Sequence, residues 1–172
     1  MHPLREGNRV TAWPYLLAAV VFVADQLSKY WIIHTVDLQS VGTIPVLPFF
    51  SLTWVQNYGV SMGMLQAASD TGRWLLVGVT AIISIVVAVW ITREKHVWDR
   101  LALGLILGGA LGNIVDRIRF GYVVDFVHLH AGQWSFYVFN VADAAISAGV
   151  AILLWRALMG GSGDAKESLK DA

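Results

Sequence analysis

Two aspartates stand where packing explains an acidic residue poorly. Asp125 lies in Val123-Val124-Asp125-Phe126-Val127, an apolar, strand-like run with no basic neighbour. Asp143 follows Asn140, a good helix N-cap residue, by three positions at the start of another apolar run. Taken singly, each has a plain structural reading: Asp143 sits where the positive end of a helix dipole favours a carboxylate, and Asp125 reads as a surface loop residue. Taken together at one depth, they point to a dyad. Two carboxylates held close cannot both ionise cheaply, so one keeps its proton while the other remains a base. One can then activate a water while the other hydrogen-bonds a carbonyl, which is the division of labour peptide hydrolysis requires, with no cofactor and no covalent intermediate.

Other chemistry is weaker. His128 and His130 would point to the same side of a strand, but no further ligands accompany them and no metal site is expected. Ser61 and Ser135 lack a nucleophile-elbow context, and no histidine is expected to serve either. Met62 and Met64 read as packing. The chain has no cysteine, hence no disulfide framework and no thiolate chemistry.

The elements that must position these residues are membrane spans. Of 172 residues, 56% are hydrophobic and only 14% charged, and the mean hydropathy of +0.60 places the chain with membrane proteins. A net charge of zero, with Lys and Arg gathered in a few short stretches and several Asp residues in or beside apolar runs, argues against a nucleic-acid partner. Four stretches are long and apolar enough to cross a bilayer as helices, at about 13–34, 73–92, 101–118 and 140–159. Arg5 and Arg9 precede the first run as in a signal peptide, but Asp25, Gln26, Ser28 and Lys29 interrupt it before it resumes, so a retained span is expected. The third span carries Gly104, Gly108, Gly109 and Gly112, which would let neighbours approach closely and place it in the bundle centre.

Arg5 and Arg9, then Arg93, Lys95 and Arg100, then Arg156, Lys166 and Lys170 all fall on one side of this topology. By the positive-inside rule both termini should be cytoplasmic. The expected fold is an all-α transmembrane four-helix bundle, with a small β-rich periplasmic platform between helices one and two and an extracytoplasmic loop between helices three and four. Thr43 to Gln56, Tyr122 to Leu129 and Trp134 to Phe139 are strand-like. Trp54, Trp134, Tyr122 and Tyr137 would sit at headgroup depth. One membrane-embedded domain should span 1–159, followed by a polar, disordered cytoplasmic tail at 160–172.

The polar residues of separate segments then converge at one depth, the outer leaflet: Asp25, Ser28 and Lys29 from the first span, Asn113, Asp116 and Arg117 from the third, Asn140 and Asp143 from the fourth, and Asn57 and Asp125 from the connections. Asp25 and Lys29, spaced i and i+4, read as a structural ion pair. Asn113, Asp116 and Arg117 share one helix face and read as a network tying that helix to its neighbours.

Five motifs in order carry a resemblance: Asp25-Gln26-Leu27-Ser28-Lys29, Asn57-Tyr58-Gly59-Val60-Ser61, the run from Gly108 to Arg117, Val123-Val124-Asp125-Phe126 and Phe139-Asn140-Val141-Ala142-Asp143. The chain closely resembles the bacterial lipoprotein signal peptidases, or signal peptidase II, from the first span to the fourth. The resemblance implies that Asp125 and Asp143 are the catalytic pair. It implies that Asn57, Gly59, Asn113, Arg117 and Asn140 line or brace the site, with Asp25, Lys29 and Asp116 in support. The implied substrate is the signal peptide of a prolipoprotein, cut just before a cysteine that carries a diacylglyceryl group. The implied setting is the bacterial inner membrane, with lipids as the other partners and the site near the outer face; a monomer is expected. Ser61-Met62 departs from the family's commoner Ala-Phe, which touches the shape of the platform and leaves the dyad alone. A small transporter with proton-relaying aspartates, and a scaffold without chemistry, are the rival classes.

Overall fold

The computed structural model describes residues 12–59, 70–132 and 134–168, with side chains as far as Met159. Ser61, Met62 and Met64, and the charges Arg5, Arg9 and Lys170 that bear on orientation, lie outside the described residues.

Helix α1 covers Trp13–His34, with Pro14 in its first turn, where a missing N–H costs nothing. A short helix α2, Leu38–Val41, leads into strands β1, Thr43–Leu47, and β2, Phe50–Asn57. Helices α3, Asp70–Arg93, and α4, Val97–Phe120, follow, then strands β3, Val123–Ala131, and β4, Trp134–Phe139, and finally α5, Val141–Ser168. The four long helices are the expected spans, and each is apolar enough to cross a bilayer. Gly121, at φ +85°, ends α4 by donating its N–H to the Arg117 carbonyl, a left-handed position that glycine takes without strain.

Two expectations need adjustment. The backbone of α5 continues through Gly160 to Ser168, where a tail without secondary structure was expected; Ala165, Lys166 and Glu167 in that stretch are all good helix formers. The strand-like stretches between α4 and α5 form the hairpin β3–β4, which joins β1 and β2 in one antiparallel sheet of order β1-β2-β3-β4, so the platform draws on both connections and not on the first alone. Had β2 kept a free edge, its backbone groups would have needed other partners. Instead Val55, Gln56 and Asn57 pair with Asp125, Val124 and Val123. That register sets Asn57 and Asp125 close on adjoining strands.

The sheet caps one end of the bundle through Ile32, Leu38, Val124 and Phe126, with Trp54 and Tyr122 half-buried against them. Those two rings therefore pack inward, whereas Trp134 is exposed. The other half of the bundle is closed by Ala18, Val87, Ile91, Leu103 and Leu107. Ile82, Ile85, Val86, Leu154 and Leu158 lie exposed on α3 and α5, as a lipid-facing surface requires.

Helix α4 is the central one: over half of its apolar window, 56%, is buried, against 28% for α1, 22% for α3 and 11% for α5. Its glycines are the reason. A Cβ on Gly108 would lie 2.5 Å from the Ala18 carbonyl oxygen of α1, and one on Gly109 would collide with the Ala142 carbonyl oxygen of α5. Adjacent glycines thus admit two different helices. Gly109→Val should destabilise the protein by about 1–3 kcal/mol through forced separation of α4 and α5. Gly78→Val, where a Cβ meets nothing within 4 Å, should stay within about 0.5 kcal/mol. Thermal or denaturant unfolding in detergent compares the two.

Candidate active site

The site is built on a buried ion cluster at the sheet end of the bundle. Lys29 of α1 places Nζ 2.8 Å from Asp25 Oδ2 and 2.7 Å from Asp116 Oδ2 of α4, with all three side chains at most 3% exposed. One ammonium does not balance two carboxylates, and neutral donors make up the difference. Gln26 Nε2 donates to Asp116 Oδ1 at 3.0 Å and to Asp25 Oδ2 at 3.2 Å. The Ala142 N–H, at the start of α5, donates to Asp25 Oδ1 at 3.0 Å, and the Val124 N–H of β3 donates to Asp116 Oδ2 at 3.1 Å. Gly112 lets this happen, because a Cβ there would lie 2.5 Å from Asp25 Oδ2.

Each carboxylate of the cluster therefore holds the backbone one residue ahead of a dyad aspartate: Ala142 precedes Asp143, and Val124 precedes Asp125. Three asparagines complete the link. Fully buried Asn140 donates through Nδ2 to Asp125 Oδ1 at 2.7 Å, while its Oδ1 accepts the Asp143 N–H at 2.9 Å. The Asn140 N–H donates back to Asp143 Oδ2 at 3.4 Å, a reciprocal capping of α5. Asn113 donates to Asp143 Oδ1 at 2.8 Å and accepts from Lys29 Nζ at 3.5 Å. Asn57 donates to Asp125 Oδ2 at 2.9 Å, and its Oδ1 accepts the Gly59 N–H at 2.9 Å in a tight turn where Gly59 has φ +81°.

The two carboxylates have different surroundings. Asp125 is fully buried on a strand, whereas Asp143 is half-buried in the first turn of a helix. Burial, and then the charge of Asp143, push the Asp125 carboxyl up to about 7, against opposing hydrogen bonds from Asn57 and Asn140.

The ten residues singled out in the sequence all lie in or beside this network. Arg117 is the most peripheral by its bonds, donating to the Asn113 carbonyl at 3.3 Å; the Gly59 backbone lies next to it and to Leu76. Gln26 and Tyr137 were missed. Gln26 had a signal, a polar residue between Asp25 and Lys29 in an apolar run. Tyr137 had none, since only strand pairing brings β4 round to Asn57, whose Nδ2 lies 3.0 Å from the Tyr137 oxygen. One expectation is overturned: Ser135 does have a histidine, with His128 Nε2 at 2.7 Å from its Oγ. The other ring nitrogen faces the Thr53 hydroxyl at 3.1 Å and not a carboxylate, so the acid that orients a nucleophile's base is missing. His130 pairs with the Ser51 hydroxyl at 2.9 Å.

Four helices long and apolar enough to cross a bilayer, with a sheet and a carboxylate pair at one end, define a multi-pass membrane protein. Residues 17–159 match the family model described as signal peptidase (SPase) II. The chain is 56% identical over 144 residues to the lipoprotein signal peptidase of Rhizorhabdus wittichii, covering 83% of this chain and 84% of that one. It is 50% identical over 166 residues to that of Sphingopyxis alaskensis, covering 91% and 96%. A solved bacterial membrane enzyme has a similar fold, with a TM-score of 0.76 at 29% identity over 88% of this chain and 91% of the other. The chain belongs to the signal peptidase II family, the membrane peptidases that remove signal peptides from lipoprotein precursors.

Lys29→Met would leave two buried carboxylates without their cation and should cost about 3–5 kcal/mol, read from denaturant unfolding in detergent. The Asp125 group has a second signature. Its folded value of about 7 lies above its ordinary 3.8, so the folded chain holds an extra proton between them. The stability this contributes is complete below the lower value and is lost as pH rises through the upper one. Asp125→Asn should flatten the fall in Tm over that interval, measured from pH 4 to pH 8.

Proposed function

We propose that the chain is an aspartic endopeptidase in which Asp125 and Asp143 hydrolyse the peptide bond just before a diacylglyceryl-modified cysteine, at the outer face of the bacterial inner membrane. The observation that carries this reading is Asn140. One buried side chain bonds Asp125 and the backbone of Asp143 together, so the two acids are held as a unit. An Asp125 carboxyl that burial and the charge of Asp143 push up to about 7 can hold a proton and donate a hydrogen bond beside a second carboxylate that serves as base. The base accepts a proton from water as its oxygen attacks the scissile carbonyl carbon, and the protonated partner hydrogen-bonds the carbonyl oxygen. The tetrahedral species then collapses, the C–N bond breaks and the cysteine nitrogen takes up a proton. No covalent enzyme intermediate and no metal are required.

The surroundings suit such a substrate. A cavity of about 570 Å³ beside Asp143 is walled by Phe139, Ala144 and Ile146 and is mostly apolar, which fits acyl chains entering from the bilayer. A second, of about 370 Å³, reaches Asp125 between Asn57 and Val138 and offers backbone and amide groups to a peptide. The polar network stays in the sheet half of the bundle while the other half is closed by the apolar core, which favours a peptidase over a pathway crossing the membrane. The charge distribution supports cytoplasmic termini, and a single chain supplies every group of the site, consistent with a monomer.

The test is cleavage of a diacylglyceryl-modified precursor by the purified chain in lipid, beside the unmodified precursor. Asp125→Asn and Asp143→Asn should each stay folded and lose turnover by about three orders of magnitude or more. The unmodified precursor should be cut poorly. Wild-type turnover in either variant would remove the dyad, and equal cleavage of both precursors would remove the lipid requirement.

A further inference from the structure

Tyr137 lies at the junction of the two cavities that flank the aspartate pair. Its ring lines the 570 Å³ space beside Asp143 and also the 370 Å³ space beside Asp125. The residue is 67% exposed, so an arriving ligand can reach it. A surface aromatic at membrane depth needs no bond to the site, yet this one has one.

The direction of that bond is set by counting hydrogens. The Asn57 side-chain nitrogen carries two. One goes to Asp125 Oδ2, 2.9 Å away, and the other to the Tyr137 oxygen, 3.0 Å away. The Asn57 carbonyl oxygen cannot be exchanged with this nitrogen, because it accepts the Gly59 N–H at 2.9 Å. Tyr137 is thus an acceptor toward the protein. Its own hydroxyl proton has no acceptor among the described residues and is available to a ligand in either cavity.

The phenol also remains a phenol. Partial burial, then the charges of Asp125 and Asp143, raise its titration above the ordinary value. A hydroxyl in the field of both carboxylates stays protonated at neutral pH, and through Asn57 it is tied to Asp125.

We propose that the Tyr137 hydroxyl is a third functional group of the site, donating a hydrogen bond to the carbonyl oxygen of the scissile peptide as charge develops there. The proposal rests on Asp125 and Asp143 being the catalytic pair. No proton is transferred from Tyr137: the hydrogen bond strengthens as the carbonyl oxygen becomes an oxyanion and relaxes when the C–N bond breaks. A peptide running from one cavity to the other would pass its carbonyl beside this group.

Tyr137→Phe removes only the hydroxyl and keeps the ring. In the precursor-cleavage assay kcat should fall about ten- to hundredfold, with KM within about threefold. The pH midpoint of kcat should stay where it is in wild type, because the bond from Asn57 to Asp125 remains. Wild-type kcat in Tyr137→Phe would overturn the proposal. So would a loss of kcat accompanied by a moved midpoint, which would mean that Tyr137 acts only through Asp125. An equal melting temperature for the variant and wild type secures the comparison, and Tyr137→Trp, which keeps an aromatic N–H donor, should recover part of the lost rate if donation is the role. Asp125→Asn in the same assay separates the two readings, since its full activity would remove the dyad whatever Tyr137 does.

Discussion

Lys29 is a single cation set between two carboxylates from different helices, with all three side chains buried. In lipid the helices gain nothing from hiding apolar faces against one another, because the surrounding chains are as apolar as leucine. Close packing and polar ties must hold the bundle. Asp25, Lys29 and Asp116 supply the tie between α1 and α4, and the glycines of α4 supply the closeness. The cluster is costly to desolvate, and it persists because every carboxylate oxygen in it finds a donor: Lys29, Gln26 or a backbone N–H. Those backbone donors come from the starts of α5 and β3, so the same ions that join two helices also register the segments carrying Asp143 and Asp125.

From this follows a division into layers. The ion cluster is buried and carries no exposed group. Above it, Asn113 and Asn140 relay position through amides, which have both a donor and an acceptor end and so can bridge groups that would repel one another. Above these lie the aspartates, with Asn57 and Tyr137 on the far side of Asp125. The low dielectric that strengthens the cluster also raises the Asp125 carboxyl. Structure and acidity have one cause.

The sheet turns a helical bundle into a site. Without it Asp125 would be a residue in a connection between spans; in β3 it is fixed by pairing with β2 and by the N–H of its neighbour Val124 on Asp116. Register matters more here than strand propensity, because a slip of one residue would turn Asp125 to the opposite face of the sheet and put Val124 or Phe126 in its place. The two hairpins also leave the exposed edge of β4, with Tyr137 on it, beside the opening to both cavities.

Much of this was legible in the order of residues. Spans must be apolar for about twenty positions, so Trp13 to His34 could be read directly, and the helical repeat alone places Asp25 over Lys29. The depth of a polar residue in a span follows from counting along it, which is why Asp25, Lys29, Asn113, Asp116, Arg117, Asn140 and Asp143 could be gathered before any contact was known. Asn140 as a cap was equally local. What tertiary structure decided is which groups meet: that Lys29 reaches Asp116 as well as Asp25, that Asp25 holds the Ala142 N–H, and that Tyr137 shares the Asn57 amide with Asp125. It also decided that the second connection is half of the sheet and that His128 faces Ser135. Local sequence sets periodicity and depth, because these depend on the backbone repeat and the solvent. Partners distant along the chain are set by helix rotation and strand register, to which any one segment is indifferent until it packs.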